Sequence, residues 1–361
     1  MSLLPLYGHT ALRDRFRDAV ARGTLPSSLL LQGPRGVGKQ QLALWLGRLV
    51  LCENTDRAPC GDCRACRMAM RVQHPDLHWI FPRPRLKDTD PDLDDVREDL
   101  ADAIADRLRA GGVYEPPGGD EGIFIATVRL IVRTAALAPA MGRRKVFVIG
   151  DAERMVAQEG TEFAANAFLK LLEEPPADTT IVLTSSEPGA LLPTIRSRVV
   201  AIRVAPLAAS EVRAFLADRT VADQLDVAGV KGTEDLVQLA GGAPGRLIGH
   251  EAWSLALSQA RRMLDAATSR DPGPGFRVAL GQGSTGARGR FSDTLDSLTV
   301  VLHERSRAAS QSGDDVMARG AARAMEVVEQ AKELANGNVN PQLVTASLLT
   351  RLSPLVSDRG R

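Results

Sequence analysis

The sequence predicts an α/β domain built on a parallel sheet, followed by an all-helical unit. Three observations carry that expectation. A short apolar run at 28–31 passes directly into a glycine-rich turn and then a helical pattern. Two further apolar runs, 146–149 and 180–184, read as buried strands of the same sheet. Beyond residue 250 apolar residues recur at helical spacing, with few strand signals.

Composition sets outer limits. A chain of 361 residues fits two or three packed units, and 44% hydrophobic with 25% charged residues is ordinary for a globular protein. No apolar run reaches the length of a membrane span. The start Met1-Ser2-Leu3-Leu4-Pro5 lacks a basic patch followed by an apolar block, so a cytoplasmic location is expected over secretion. Lys plus Arg total 45 against 44 Asp plus Glu, which excludes a globally polycationic nucleic-acid binder.

The first strand runs into Gly33-Pro34-Arg35-Gly36-Val37-Gly38-Lys39-Gln40, and Leu42, Leu46, Leu49 and Val50 then share one helix face. Strand, glycine loop and helix form the setting in which G-x4-G-K binds phosphate. Gly33, Gly36 and Gly38 let backbone N–H groups curl around phosphate oxygens at a helix amino terminus, and Lys39 reaches the terminal phosphates of ATP or ADP. Gln40 stands where Ser or Thr would hold Mg²⁺, so binding is better supported than hydrolysis.

All four cysteines, Cys52, Cys60, Cys63 and Cys66, follow within one short window. Disulfides staple distant segments, whereas four clustered thiols suit one tetrahedral Zn²⁺. Four thiolates leave no open position, so the ion is expected to be structural. His74 and His78 read as a loop residue and a strand-entry residue rather than rival ligands.

Residues 83–122 are set apart by charge. Nine acidic residues lie between Asp88 and Asp106, ahead of Pro116-Pro117-Gly118-Gly119-Asp120. A short charged helix with Leu93, Val96, Leu100, Ala103 and Ile104 is expected, in a solvated insertion lying away from any nucleic acid.

The run 146–149 should end at a metal-binding acid followed by a base for water. Gly150 and Asp151 stand in those places; shifting the register by one makes Asp151 the metal ligand but puts Ala152 where the base should be. Either way one role is unfilled, and Glu153 is expected to point elsewhere if the strand continues. Residues 166–172 then read as a helix closed by Glu173-Glu174-Pro175-Pro176, and 180–184 as a strand whose end, Thr184 and Ser185, suits nucleotide sensing.

The order of these segments, with Leu192-Pro193-Thr194-Ile195-Arg196-Ser197-Arg198 after them, resembles the bacterial clamp-loader subunits of the AAA+ class, zinc module included. The likeness covers roughly residues 5–250 and extends weakly to Asn338-Val339-Asn340-Pro341-Gln342-Leu343. The missing hydrolytic residues are similar to the delta-prime branch rather than to the ATP-hydrolysing tau/gamma branch; an active ATPase of the latter kind is the rival reading.

The resemblance implies that Arg198 projects as a finger into a neighbouring subunit's ATP site, with Arg196 as competitor. Val199 replaces the family's usual cysteine. It implies that Arg246, in Gly241-Gly242-Ala243-Pro244-Gly245-Arg246, faces the phosphates from the lid, and that Arg129 and Arg133 lie towards DNA backbone. It also implies an AAA+ domain over 1–206, a helical lid over 207–250 and a collar over 251–361. The expected partners are delta and tau/gamma subunits, the sliding clamp and primed DNA, with no membrane. Within the last unit, 269–290 reads as a Gly-, Pro- and Arg-rich loop.

Overall fold

Five strands, β1 (Ser28–Gln32), β2 (Leu77–Ile80), β3 (Lys145–Ile149), β4 (Thr179–Ser185) and β5 (Val200–Arg203), form one sheet among the described residues. The computed structural model describes residues 1–88, 91–114, 121–155, 162–222, 225, 233–248, 250–282, 288–336 and 339–356. The order is β2-β3-β4-β1-β5, and every pairing is parallel. Parallel strands need crossovers that cover both faces, which is why three of these strands are apolar at consecutive positions. Leu29, Leu31, Val146, Val148 and Val182 face one core; Leu30, Phe147, Ile149, Ile181 and Leu183 face the other.

Helices α1 (Thr10–Ala21) and α2 (Lys39–Leu51) cover the first face, where Leu42, Leu46 and Leu49 are buried. A short α3 (Arg64–Met70) follows the cysteine window, and β2 then enters the sheet edge. Only the strand entry of His78 was legible for β2. The run is four residues long and ends the sheet, so its periodic signal is weak.

Helix α4 (Leu93–Arg109) is the expected charged helix, but the solvated setting expected for it is corrected. Val96, Leu100, Ala103 and Leu108 are buried, and Val96 and Leu100 pack against Ala126 and Leu130 of α5 (Ile125–Ala135). The acidic residues occupy the other face, as an amphipathic helix requires. Arg83 and Gly122 exchange backbone hydrogen bonds in an antiparallel bridge that closes the segment's base, and Arg83 pairs with Asp99 at 2.9 Å. The Pro116–Gly119 turn lies outside the described residues.

On the second face α6 (Glu162–Glu173) places Phe168, Leu171 and Leu172 against Phe147 and Ile181. A single helical turn, α7 (Pro193–Arg196), precedes β5. Three short helices, α8 (Ala209–Leu216), α9 (Arg219–Ala222) and α10 (Thr233–Ala240), enclose Val212, Phe215, Val221 and Val237. The chain divides into two units, Met1–Ile248 and Gly249–Arg361.

The second unit contains α11 (His250–Thr268), α12 (Gly273–Leu280), α13 (Arg288–Gln311), α14 (Asp315–Asn336) and α15 (Pro341–Val356). Met263, Phe291, Leu295, Leu302, Val328 and Leu352 form its core. Asn340 caps α15, accepting from Gln342 N at 2.8 Å, with Pro341 at the first helical position. Asn338 lies outside the described residues. Helix α12 corrects the loop expected over 269–290: Pro272 and Pro274 sit at its start, where a missing N–H costs nothing.

Candidate functional site

The loop after β1, the turn after β3 and the end of β4 meet at the carboxyl edge of the sheet, the usual position of ligand crevices in open α/β sheets. They line a cavity with Lys39, Gln40, Asp151, Thr184 and Ser186 on its polar side, and Leu4, Tyr7, Leu207, Phe215 and Ile248 on its apolar side. Gly36 shows why the loop needs glycine. Its φ is +79°, and a Cβ would stand 2.6 Å from Arg246 N.

Lys39 is buried at the amino terminus of α2. Its Nζ donates to the carbonyls of Gly33 and Pro34, each at 2.9 Å, and to Ser186 Oγ at 2.8 Å. Arg246 lies against this loop: its Nε donates to Arg35 O at 3.2 Å, and Gly245 N donates to Gly36 O at 2.9 Å. Gly33, Gly36, Lys39, Gln40, Asp151 and Arg246 are thus brought to one place, with Gly38 as the amino-terminal cap of α2.

Gln40 is buried, and both ends of its amide are used. Nε2 donates to Asp151 Oδ2 at 3.0 Å, and Oε1 accepts from Trp79 Nε1 at 2.9 Å. A Cβ on Gly150 would come within 2.2 Å of Gln40 Nε2, so the glycine in the acid's place and the amide in the hydroxyl's place fit each other sterically. Asp151 adopts φ +47°, and its N–H donates to Thr184 Oγ1 at 3.2 Å.

The condition under which Glu153 would point elsewhere, a continued strand, is not met. The strand stops at Ile149, a 3₁₀ turn over Ala152–Met155 follows, and Glu153 Oε1 accepts from Ser186 N at 3.0 Å. Its Oε2 is buried with no hydrogen-bond partner among the described residues. Burial, reinforced by the Asp151 charge, raises its pKa to about 7.

Sequence reasoning missed Trp79, Ser186 and above all Arg107. The guanidinium carbon of Arg107 lies 3.3 Å from the Phe81 ring centre, 3.8 Å from that of Tyr114 and 5.2 Å from that of Trp79. Nη1 is 3.5 Å from Gln40 Oε1. Burial lowers its pKa to about 10, while the charges of Tyr114, Asp151 and Glu121 act to raise it. A signal was present: Val96, Leu100, Ala103 and Arg107 share one helical stripe, so the arginine falls on the buried face.

The sulfur atoms of Cys52, Cys60, Cys63 and Cys66 all lie within 4.8 Å of one another, a set that could hold one metal ion. Cys52 ends α2, and Cys63 caps α3, accepting from Cys66 N at 3.3 Å. Cys52 Sγ accepts from Cys60 N and Cys60 Sγ from Cys63 N, each at 3.4 Å. Burial works against ionising Cys63, yet N–H donors led by Cys66 hold its thiol down to about 7. His74 is buried apart from the cluster and accepts from Asp76 N through Nδ1 at 3.1 Å; His78 stacks on Phe147.

Arg198 lies after α7, partly exposed. Its guanidinium pairs with Glu173, with Nε donating at 2.9 Å, and also donates to Thr194 O. Within the basic stretch before β3, Lys145 is buried and donates to Ala135 O at 2.7 Å, which removes it from any surface role. Among the described residues no helix is long and apolar enough to cross a membrane.

Residues 8–208 match the family described as DNA polymerase III, delta subunit. Among relatives, DNA polymerase III subunit delta' of Pseudomonas aeruginosa is 31% identical over 216 residues, covering 60% of this chain and 52% of that one. The Escherichia coli delta' subunit is 32% identical over 191 residues, covering 52% and 46%. The gamma/tau subunit of Mycobacterium bovis is 31% identical over 181 residues, covering 50% and 24%. The chain spans about half the length of the delta' relatives it matches. A gamma subunit-related protein of Thermotoga maritima aligns over 94% of this chain and 98% of its own, at 16% identity and TM-score 0.39. With the family match running from ahead of the phosphate loop to beyond Arg198, the chain belongs to the DNA polymerase III delta-subunit family.

Proposed function

We propose that this chain is a clamp-loader subunit of the DNA polymerase III assembly, acting beside delta and tau/gamma subunits to place the sliding clamp on primed DNA. It hydrolyses little or no ATP itself and donates Arg198 to a neighbour's ATP site. The observation that carries the non-hydrolytic part is Gln40, whose amide spans Asp151 and Trp79 where a metal-binding hydroxyl would stand. Magnesium-assisted attack needs a held metal and a carboxylate that orients water. Here Gly150 supplies no side chain, and Asp151 is bonded to the amide.

Arg198 suits the finger role because a guanidinium is permanently charged and forks onto phosphate oxygens. Its partner Glu173 is half exposed, so exchanging that carboxylate for a neighbour's phosphate breaks no buried pair. The four cysteines would hold a structural Zn²⁺; the ion would fix the end of α2 to the start of α3 and take no part in chemistry. In this reading 1–206 is the AAA+ domain, 207–250 the lid and 251–361 the collar, in a cytoplasmic assembly. Arg129 and Arg133 are the proposed contacts to DNA backbone.

Reconstitution tests the proposal. The purified chain is expected to show no ATP hydrolysis above background, with or without Lys39→Ala. Arg198→Ala is expected to assemble normally yet lower the assembly's ATPase several-fold, since fingers act on the transition state. Hydrolysis by the isolated chain that Lys39→Ala abolishes would support the tau/gamma-like reading, and an unchanged assembly rate would exclude the finger.

A further inference from the structure

The metal that phosphate-loop sites employ does not fit the donors present. A hard divalent cation takes oxygen ligands, usually a hydroxyl and a carboxylate here. Gln40 turns its N–H towards Asp151, and its carbonyl oxygen faces two donors, Trp79 Nε1 and Arg107 Nη1, which together occupy its two lone-pair directions. Gly150 cannot gain a carboxylate while the amide stays, because even a Cβ would stand 2.2 Å from it. The Asp151 carboxylate nevertheless lines the cavity, where a negative charge needs a counter-charge.

Arg107 supplies one. The stripe on α4 carries it inward, three aromatic rings hold its faces, and Nη1 lies 3.5 Å from the oxygen of the same Gln40 amide that donates to Asp151. Stacked arginine stays ionised where a lysine or a hydrated metal would be harder to desolvate. Lys39 adds a second cation on the cavity side. The site therefore balances its carboxylates with groups of the chain itself.

We propose that Arg107, acting through Gln40, is the fixed cation of this cavity, and that an adenine nucleotide binds there as the metal-free anion. This rests on reading the cavity as a nucleotide site. It gives helix α4 a role: the helix carries the charge that phosphate-loop sites with a working metal position take from solution.

Calorimetric titration of the full chain with ADP provides the test, once in EDTA and once in excess Mg²⁺. The two dissociation constants are expected to agree within about two-fold, whereas phosphate-loop sites with a working metal position tighten on Mg²⁺. Arg107→Met is expected to weaken ADP about ten-fold in EDTA and in Mg²⁺ alike, because the metal donors are still missing; Arg107→Lys, whose ammonium is harder to desolvate between the rings, is expected to fall between the parent and Arg107→Met. A ten-fold tightening of the parent by Mg²⁺ overturns the proposal, as does the absence of any ADP binding. Mn²⁺ titration followed by electron paramagnetic resonance gives a readout needing only the parent chain: a protein-bound Mn²⁺ signal in the presence of ADP also overturns it. A chain that binds no ADP yet assembles and loads clamps would leave the clamp-loader reading intact while removing this one.

Discussion

Glu153 is the residue whose protonation the fold disturbs most legibly. One carboxylate oxygen receives the Ser186 N–H, the other is buried without a partner, and burial beside Asp151 raises the pKa to about 7. The folded state therefore holds this proton above the pH at which the unfolded chain releases it, and stability falls as pH rises from about 4.5 to about 7. Above that window the cost is as much as about 3 kcal/mol. Glu153→Gln is expected to flatten the decline, measured by urea unfolding at a series of pH values. Parallel pH slopes in both proteins would remove Glu153 as its source. Neither the burial nor the direction of this side chain was legible in the sequence. Two residues past a strand, a side chain's direction depends on whether the strand continues, and here the chain turns at Gly150.

At the scale of elements, what the sequence revealed follows from how many faces each element buries. Strands β1, β3 and β4 are covered on both faces, so their apolar runs stood out; β2 is a four-residue edge strand containing His78 and did not. Helix α4 shows a different failure. Its apolar stripe was read correctly, but the nine acids around it suggested solvent, although charge on one face says nothing about the other. Leu100→Ala measures the difference. Loss of a buried leucine costs about 2–5 kcal/mol, whereas a solvated helix would lose under about 0.5 kcal/mol. The larger value is expected, from chemical denaturation, because Leu100 packs against α5.

At the scale of the molecule, the cysteine set and the phosphate loop belong to one unit and the helices beyond residue 249 to the other. Metal removal should respect that division. Purified protein is expected to carry one zinc per chain, and chelation is expected to lower the unfolding temperature of the first unit by about 5 °C or more. The unfolding of the second unit, followed by calorimetry of the full chain, should stay within about 1 °C. A uniform shift, or protein lacking zinc from the outset, would contradict a structural ion confined to residues 52–66. The thiol cluster was legible because its ligands are close in sequence. The Arg107 cage was not, because α4, β2 and Tyr114 meet only in the folded chain.

The mutual fit of Gln40 and Gly150 also bears on the routes by which this sequence can change. Gly150→Asp alone drives a side chain into the amide, and Gln40→Ser alone strips Asp151 and Trp79 of their partner. Each first step is costly, so the two positions are expected to change together rather than singly, with Arg107 in place behind them.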